Sequence, residues 1–191
     1  MIGISNKKGF TLVEIIIVMT VSVIIFGLIT SVYVISQKAY SETDTKAEIT
    51  QNGRVILDRM IREIRQTPDI VTQIPADTSE PSLLPSEIKF QDGHNTDQTR
   101  YIRYFLDGTD IKRQEIIYYF PSAPDYYVHS YDTDREPPHD PPIEQVVEEK
   151  VIGEYAEDLE FWGNKLINVN LYLYKDGQSS IINTAVYGRN M

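Results

Sequence analysis

Glu14 is the residue whose place in the chain asks for chemistry. It lies in an apolar run that continues to Gln37, and Lys7, Lys8 and Gly9-Phe10 stand directly before it. A carboxylate inside hydrocarbon costs about 2.5–3.5 kcal/mol on insertion scales. A plain membrane anchor has no use for it, so Glu14 is expected to meet a cation. The remaining reactive side chains form no catalytic set. His94, His129 and His139 fall in predicted loops, and none has metal-ligand spacing such as H-E-x-x-H. There is no cysteine, no Gly-rich phosphate loop and no G-x-S-x-G, so no enzyme activity is expected. Asp125, Asp132, Asp134 and Asp140 could offer oxygen ligands to calcium. Their spacing matches no EF-hand loop, and a solvated acidic loop is the plainer expectation, with no cofactor.

The element that must position Glu14 is a helix. Ile15 to Gln37 contains no charged residue. Its 23 residues make a helix of about 34 Å, enough to cross a bilayer core of about 30 Å. Lys7 and Lys8 on its N-terminal side predict a cytoplasmic N-terminus and an exported C-terminal bulk. A secretory signal peptide has a shorter apolar core and a small-residue cleavage site, and Ser36-Gln37-Lys38-Ala39-Tyr40 fits that poorly. A signal anchor fits the length but leaves Glu14 and Gly9-Phe10 unexplained.

Lys7-Lys8-Gly9-Phe10-Thr11-Leu12-Val13-Glu14 resembles the processing site of type IV prepilins and pseudopilins. The resemblance implies that a prepilin peptidase cuts between Gly9 and Phe10 and that the new Phe10 amine is N-methylated. Removing nine residues from 191 leaves 182, and losing Lys7 and Lys8 takes the formal charge from −10 to −12. The cut would create an ammonium at Phe10. In a filament, that cation and Glu14 of an adjacent subunit could neutralise each other away from water, where an unpartnered charge is expensive. Glu14 is then an assembly residue. The alternative is a carboxylate that snorkels to the interface.

The helical pattern continues past the apolar run. Ile49, Gly53, Ile56, Leu57, Met60, Ile61 and Ile64 recur on one helix face. Glu42/Lys46, Arg54/Asp58, Asp58/Arg62 and Arg59/Glu63 are spaced as surface ion pairs. Pro68 ends the element. One helix from Phe10 to about Thr67 would span roughly 87 Å. Arg54, Arg59, Arg62 and Arg65 alternate with acids, as on a solvated face. With a net charge of −10, nucleic acid is not expected as a partner.

The rest of the chain reads as a sheet. Thr67 to Ser86 is an irregular connection, followed by strands over Ser86–Gln91, Thr99–Asp107, Ile111–Phe120, Leu159–Trp162, Leu166–Tyr174 and Ser180–Tyr187. Asp107-Gly108 and Asp176-Gly177 each predict a hairpin turn. Pro121 to Glu149 is a proline-rich acidic insertion, expected as an exposed loop. Trp162 is expected in the core or on the sheet surface. Without cysteine, thirteen tyrosines and six phenylalanines must supply much of the packing. The expected organisation is therefore a leader over 1–9, a membrane and filament-stem helix over 10–37, its amphipathic continuation over 38–67, and a sheet domain over 68–191 carrying the insertion 121–149. The fold class is α+β, a long helix on a mostly antiparallel sheet.

Gln51 to Arg65 resembles the helix of J-type minor pseudopilins of type II secretion and related minor pilins. Tyr104 to Arg113 resembles their hairpin, and Thr184 to Asn190 their closing strand. Major pilins of type IVa pili typically carry a helix-kinking Pro and a disulfide-closed loop, and this chain has neither. The resemblance implies a minor subunit in the inner membrane, whose C-terminal domain is periplasmic or extracellular. It implies prepilin peptidase, other pilin-like subunits and an inner-membrane assembly platform as partners. Secretion, pilus and competence machines all remain open, as does a membrane-anchored binding or adhesion module.

Overall fold

The computed structural model describes residues 9–94, 98–134 and 139–188. Lys7, Lys8, Pro137-Pro138 and the Arg189-Asn190 ending lie outside the described residues. Helix α1 (Leu12–Gln66) comes first, then strands β1 (Glu87–Gln91), β2 (Tyr101–Asp107), β3 (Asp110–Phe120), β4 (Ala123–Tyr127), β5 (Ile143–Gly153), β6 (Ala156–Gly163), β7 (Leu166–Lys175) and β8 (Gln178–Tyr187). The chain divides into two compact units, Met1–Asp44 and Thr45–Met191.

In the first unit α1 is apolar and bare. Every large hydrophobic from Leu12 to Ile35 is exposed. The helix is long and apolar enough to cross a membrane. Four of its hydroxyls are satisfied within it: Thr20, Ser22, Thr30 and Ser31 each donate to the carbonyl four residues back at 2.8–2.9 Å, as lipid for a solvent would require.

In the second unit α1 packs on two antiparallel sheets. Ile49, Gly53, Ile56, Leu57, Met60 and Ile64 are buried, the face expected from the spacing, with Ile61 partly covered. In the five-stranded sheet β2 joins β1 to β3, while β4 and β5 also pair with β3. In the three-stranded sheet β7 lies between β6 and β8. Ile88, Phe90, Ile102, Tyr104 and Ile111 from the first, and Leu159, Phe161, Ile167, Val169, Leu171 and Leu173 from the second, close one core around the helix. Gly53 lets the helix approach β7 and β8: a Cβ there would stand 2.4 Å from Leu173 Cδ1 and 2.6 Å from Ile182 Cδ1. Both expected hairpins form. Gly108 (φ 65°) lies in the first turn, and Asp176 (φ 49°) with Gly177 (φ 80°) makes the second, the left-handed pair that a two-residue hairpin loop needs.

The expected loop over 121–149 is corrected. It holds β4 and most of β5, an 11-residue strand paired with β3 on the side away from β2. The prolines sit where strands tolerate them: Pro121 in the turn, Pro124 on a short flanking strand, Pro141-Pro142 just before β5. Two register shifts against β3 break the alternation of β5, and most of its side chains are exposed on both faces. The period-two signal of a half-buried strand was therefore absent.

The expected surface ion pairs are also revised. Arg59–Glu63 forms at 3.6 Å, but among the described residues no ion pair joins Glu42/Lys46, Arg54/Asp58 or Asp58/Arg62. Lys38 meets Glu42 instead, at 3.9 Å. Exposed pairs in water gain too little to hold two long side chains in one geometry. Glu63 is different. Its Oε2 accepts from the Tyr104 hydroxyl at 2.6 Å and from Arg113 Nε at 3.0 Å, with the Glu63 and Arg113 side chains only 13% and 10% exposed. Burial and then the Glu63 carboxylate push the Tyr104 hydroxyl well above its usual range, so it stays a donor. This pins α1 to the β2–β3 hairpin. Glu63→Ala is expected to cost about 2–4 kcal/mol, because it strands a nearly buried guanidinium whose remaining carboxylate, Glu148, stands 3.8 Å away. Glu63→Gln, which still accepts from Tyr104, should cost less than half of that. Urea unfolding of the full chain in detergent checks both, and a loss below about 1 kcal/mol for the alanine variant would refute the pinning role.

Candidate processing and assembly site

Gly9, Phe10 and Thr11 precede the helix, which starts at Leu12. Phe10 is 85% exposed. Among the described residues, no atom lies within 4 Å of where a Gly9 Cβ would sit. No packing contact among the described residues requires glycine there. The Gly9–Phe10 bond thus lies in open chain at the helix entrance, accessible from outside.

Glu14 takes the third position of the helix, and Thr11 takes the N-cap. Thr11 N and Oγ1 both donate to Glu14 Oε2, at 2.8 and 3.0 Å, and Glu14 N donates back to Thr11 Oγ1 at 3.3 Å. This is a reciprocal capping box, which satisfies backbone donors that the first turn leaves open. The sequence reading missed Thr11, although the signal was there: a threonine, two residues and a glutamate before an apolar run. The box does not use up the carboxylate. Oε1 takes no hydrogen bond from the described residues and has lone pairs for a cation. Phe10, Glu14, Ile15, Val18 and Met19 line a shallow apolar hollow on this face of the helix. A carboxylate on an apolar surface is suited to one task above others, pairing with a single cation brought in with apolar surface around it.

The other expected site residues are not brought together. The three histidines lie apart: His94 bonds with Asp92, His129 with Tyr101, and His139 with the Asp134 carbonyl. Among the acids, Asp132 accepts from the His129 amide and Asp134 from the Ser122 hydroxyl. Among the described residues no group of three or more His, Asp or Glu is placed to hold a metal ion. Trp162, half-buried, lies on β6.

No curated protein matches the chain. A family model does match, over residues 4–30: the prokaryotic N-terminal methylation motif. The matched stretch spans Lys7, Lys8, Gly9, Phe10, the capping box and the first half of the apolar helix. The chain therefore carries an N-terminal methylation motif of the kind prepilin-like proteins carry, leading into a helix long and apolar enough to cross a membrane, on an α+β fold.

Proposed function

We propose that this protein is a structural, non-enzymatic subunit of a pilus or pseudopilus. In this reading Lys7 and Lys8 hold the leader in the cytoplasm, and prepilin peptidase cuts between Gly9 and Phe10. The Phe10 amine is then methylated, and an inner-membrane assembly platform lifts the chain into a filament. The domain from about residue 38 onward is periplasmic or extracellular, and no cofactor is needed. The observation that carries the reading is the methylation motif over residues 4–30, joined without a break to one helix over Leu12–Gln66.

Within that class we favour a minor subunit of a type II secretion pseudopilus or a type IV pilus, in an initiating or tip complex with other pilin-like chains. Three features support the minor role. No proline interrupts α1, no cysteine closes a C-terminal loop, and Gln51 to Arg65 resembles J-type minor pseudopilins. The test is composition. Filaments sheared from cells should contain the shortened chain as a small share beside a more abundant pilin-like chain. Filaments made chiefly of this protein would assign it the major role. A chain that stays wholly in the membrane would favour an anchored binding module.

A further inference from the structure

The outer face of the three-stranded sheet holds side chains that neither the core nor the processing motif uses. The inward residues of β6, β7 and β8 belong to the core or its edge, so their alternates face out. Four of those outward residues are aromatic: Trp162 on β6, Tyr172 and Tyr174 on β7, and Tyr187 on β8. Tyr174 and Tyr187 are 52% and 67% exposed. Exposed rings grouped on one face and interleaved with polar residues mark a contact surface. The pairing register divides this face into rungs. Trp162 stands opposite Asn168, and the next rung is Glu160, Asn170 and Asn183. Tyr172 and then Tyr174 follow on the far side, while Tyr187, opposite Leu166, flanks the Trp162 end. Amides and one carboxylate thus lie between two aromatic ends, with the Trp162 and Tyr172 rungs about 13 Å apart.

The polar groups between the rings are already oriented. Glu160 Oε2 accepts from the Tyr172 hydroxyl at 3.0 Å and from Asn170 Nδ2 at 3.1 Å. Asn168 Nδ2 donates to the Trp162 carbonyl at 3.3 Å. These bonds leave Glu160 Oε1 and the Oδ1 atoms of Asn168 and Asn170 without a partner among the described residues. The exposed Asn183 amide has none there either, so the face offers both acceptors and donors.

The occupant is defined by what these groups ask for. None of the outward positions on the three strands is Lys or Arg, and two, Asp158 and Glu160, are acids, so an anionic ligand is repelled. A basic peptide would meet only those two acids, one of them already bonded twice, and would leave the amides idle. An apolar protein surface would strand the amides without partners, at a cost for each. A polysaccharide uses the whole face. Its sugar rings present C–H faces that stack on aromatic rings, and their edges carry hydroxyls that both donate and accept. We propose that the outer face of β6–β8 binds an uncharged polysaccharide chain, with Trp162 and the tyrosines stacking on its rings and Glu160, Asn168, Asn170 and Asn183 bonding its hydroxyls. The proposal does not depend on the filament reading, since a filament subunit and an anchored module would present the same face.

Trp162 is the single tryptophan of the chain, so its emission reports on this face directly. The full chain, purified in a detergent without a sugar headgroup, is titrated with the hexasaccharides of cellulose, chitin and starch, and with an alginate hexamer as the anionic control. At least one of the three uncharged chains should shift the Trp162 emission saturably, and the alginate hexamer should not. Tyr174→Ala combined with Tyr187→Ala should weaken that binding about tenfold, because a few rings carry most of such a contact. Both positions are exposed, so the fold should survive, as an unchanged urea midpoint would show. Asn183→Ala, which removes an amide with no partner, should weaken binding about threefold. Tyr126→Ala, a 72% exposed ring on β4, should leave it unchanged. No saturable shift with any of the three uncharged chains would overturn the proposal. So would a shift indifferent to the tyrosine and asparagine substitutions, or one that the alginate hexamer matches.

Discussion

Glu14→Ala is expected to reduce filament incorporation by about tenfold or more while leader removal and membrane insertion continue. Breaking a water-shielded ion pair by deleting one partner strands the other, here the Phe10 ammonium of a neighbour, at a cost of about 3–5 kcal/mol. Even half of that exceeds a tenfold change in an equilibrium. Alanine also removes the capping box, worth about 0.5–2 kcal/mol to the start of the helix. Two further variants separate the effects. Glu14→Gln can still accept from Thr11 but has no charge, so assembly should fall nearly as far. Thr11→Val loses the hydroxyl of the cap and keeps the charge, so assembly should fall only slightly. Measuring the mature chain in sheared filaments against that in membranes gives the comparison. Wild-type incorporation of Glu14→Gln would show that the cap, not the charge, is what the helix start contributes.

The second large effect is at Gly9. Gly9→Val should slow leader removal by about a hundredfold or more, equivalent to roughly 2.7 kcal/mol on the barrier. No described residue packs against Gly9, so the variant should fold and insert normally. The need for glycine then lies in the peptidase, which must bring its reacting groups against a bare backbone. A Gly9→Val chain cut at the wild-type rate would move the processing site elsewhere.

The parts of this molecule legible in its sequence are those with local, periodic causes. Ile49 to Ile64 announced the buried helix face because helix geometry repeats it every three or four residues. Asp176-Gly177 announced a hairpin because few dipeptides accept two left-handed conformations. What stayed hidden depends on contacts far along the chain or on missing alternation. Glu63 looked like half of a surface pair with Arg59, yet its stronger partners, Tyr104 and Arg113, lie 41 and 50 residues away. β5 hid behind prolines and bulges, and its Val146-Val147 and Glu148-Glu149 repeats give no period of two. At the candidate site, Gly9-Phe10 and the Glu14 carboxylate are visible in the sequence as a motif. The reciprocal bond between Thr11 and Glu14 needs the helix to start at Leu12, a boundary that the unbroken apolar run does not mark. One carboxylate has room for both roles: Oε2 accepts from Thr11 in its own helix, and Oε1 takes no hydrogen bond from the described residues.

The account depends most on what the N-terminus becomes. Intact mass and N-terminal sequencing of the full chain, purified from cells that co-express a prepilin peptidase, would decide it. The account predicts a chain of 182 residues that begins at Phe10 and carries one added methyl group on its amine. A chain that still begins at Met1, or one cut beyond the apolar run, would contradict it.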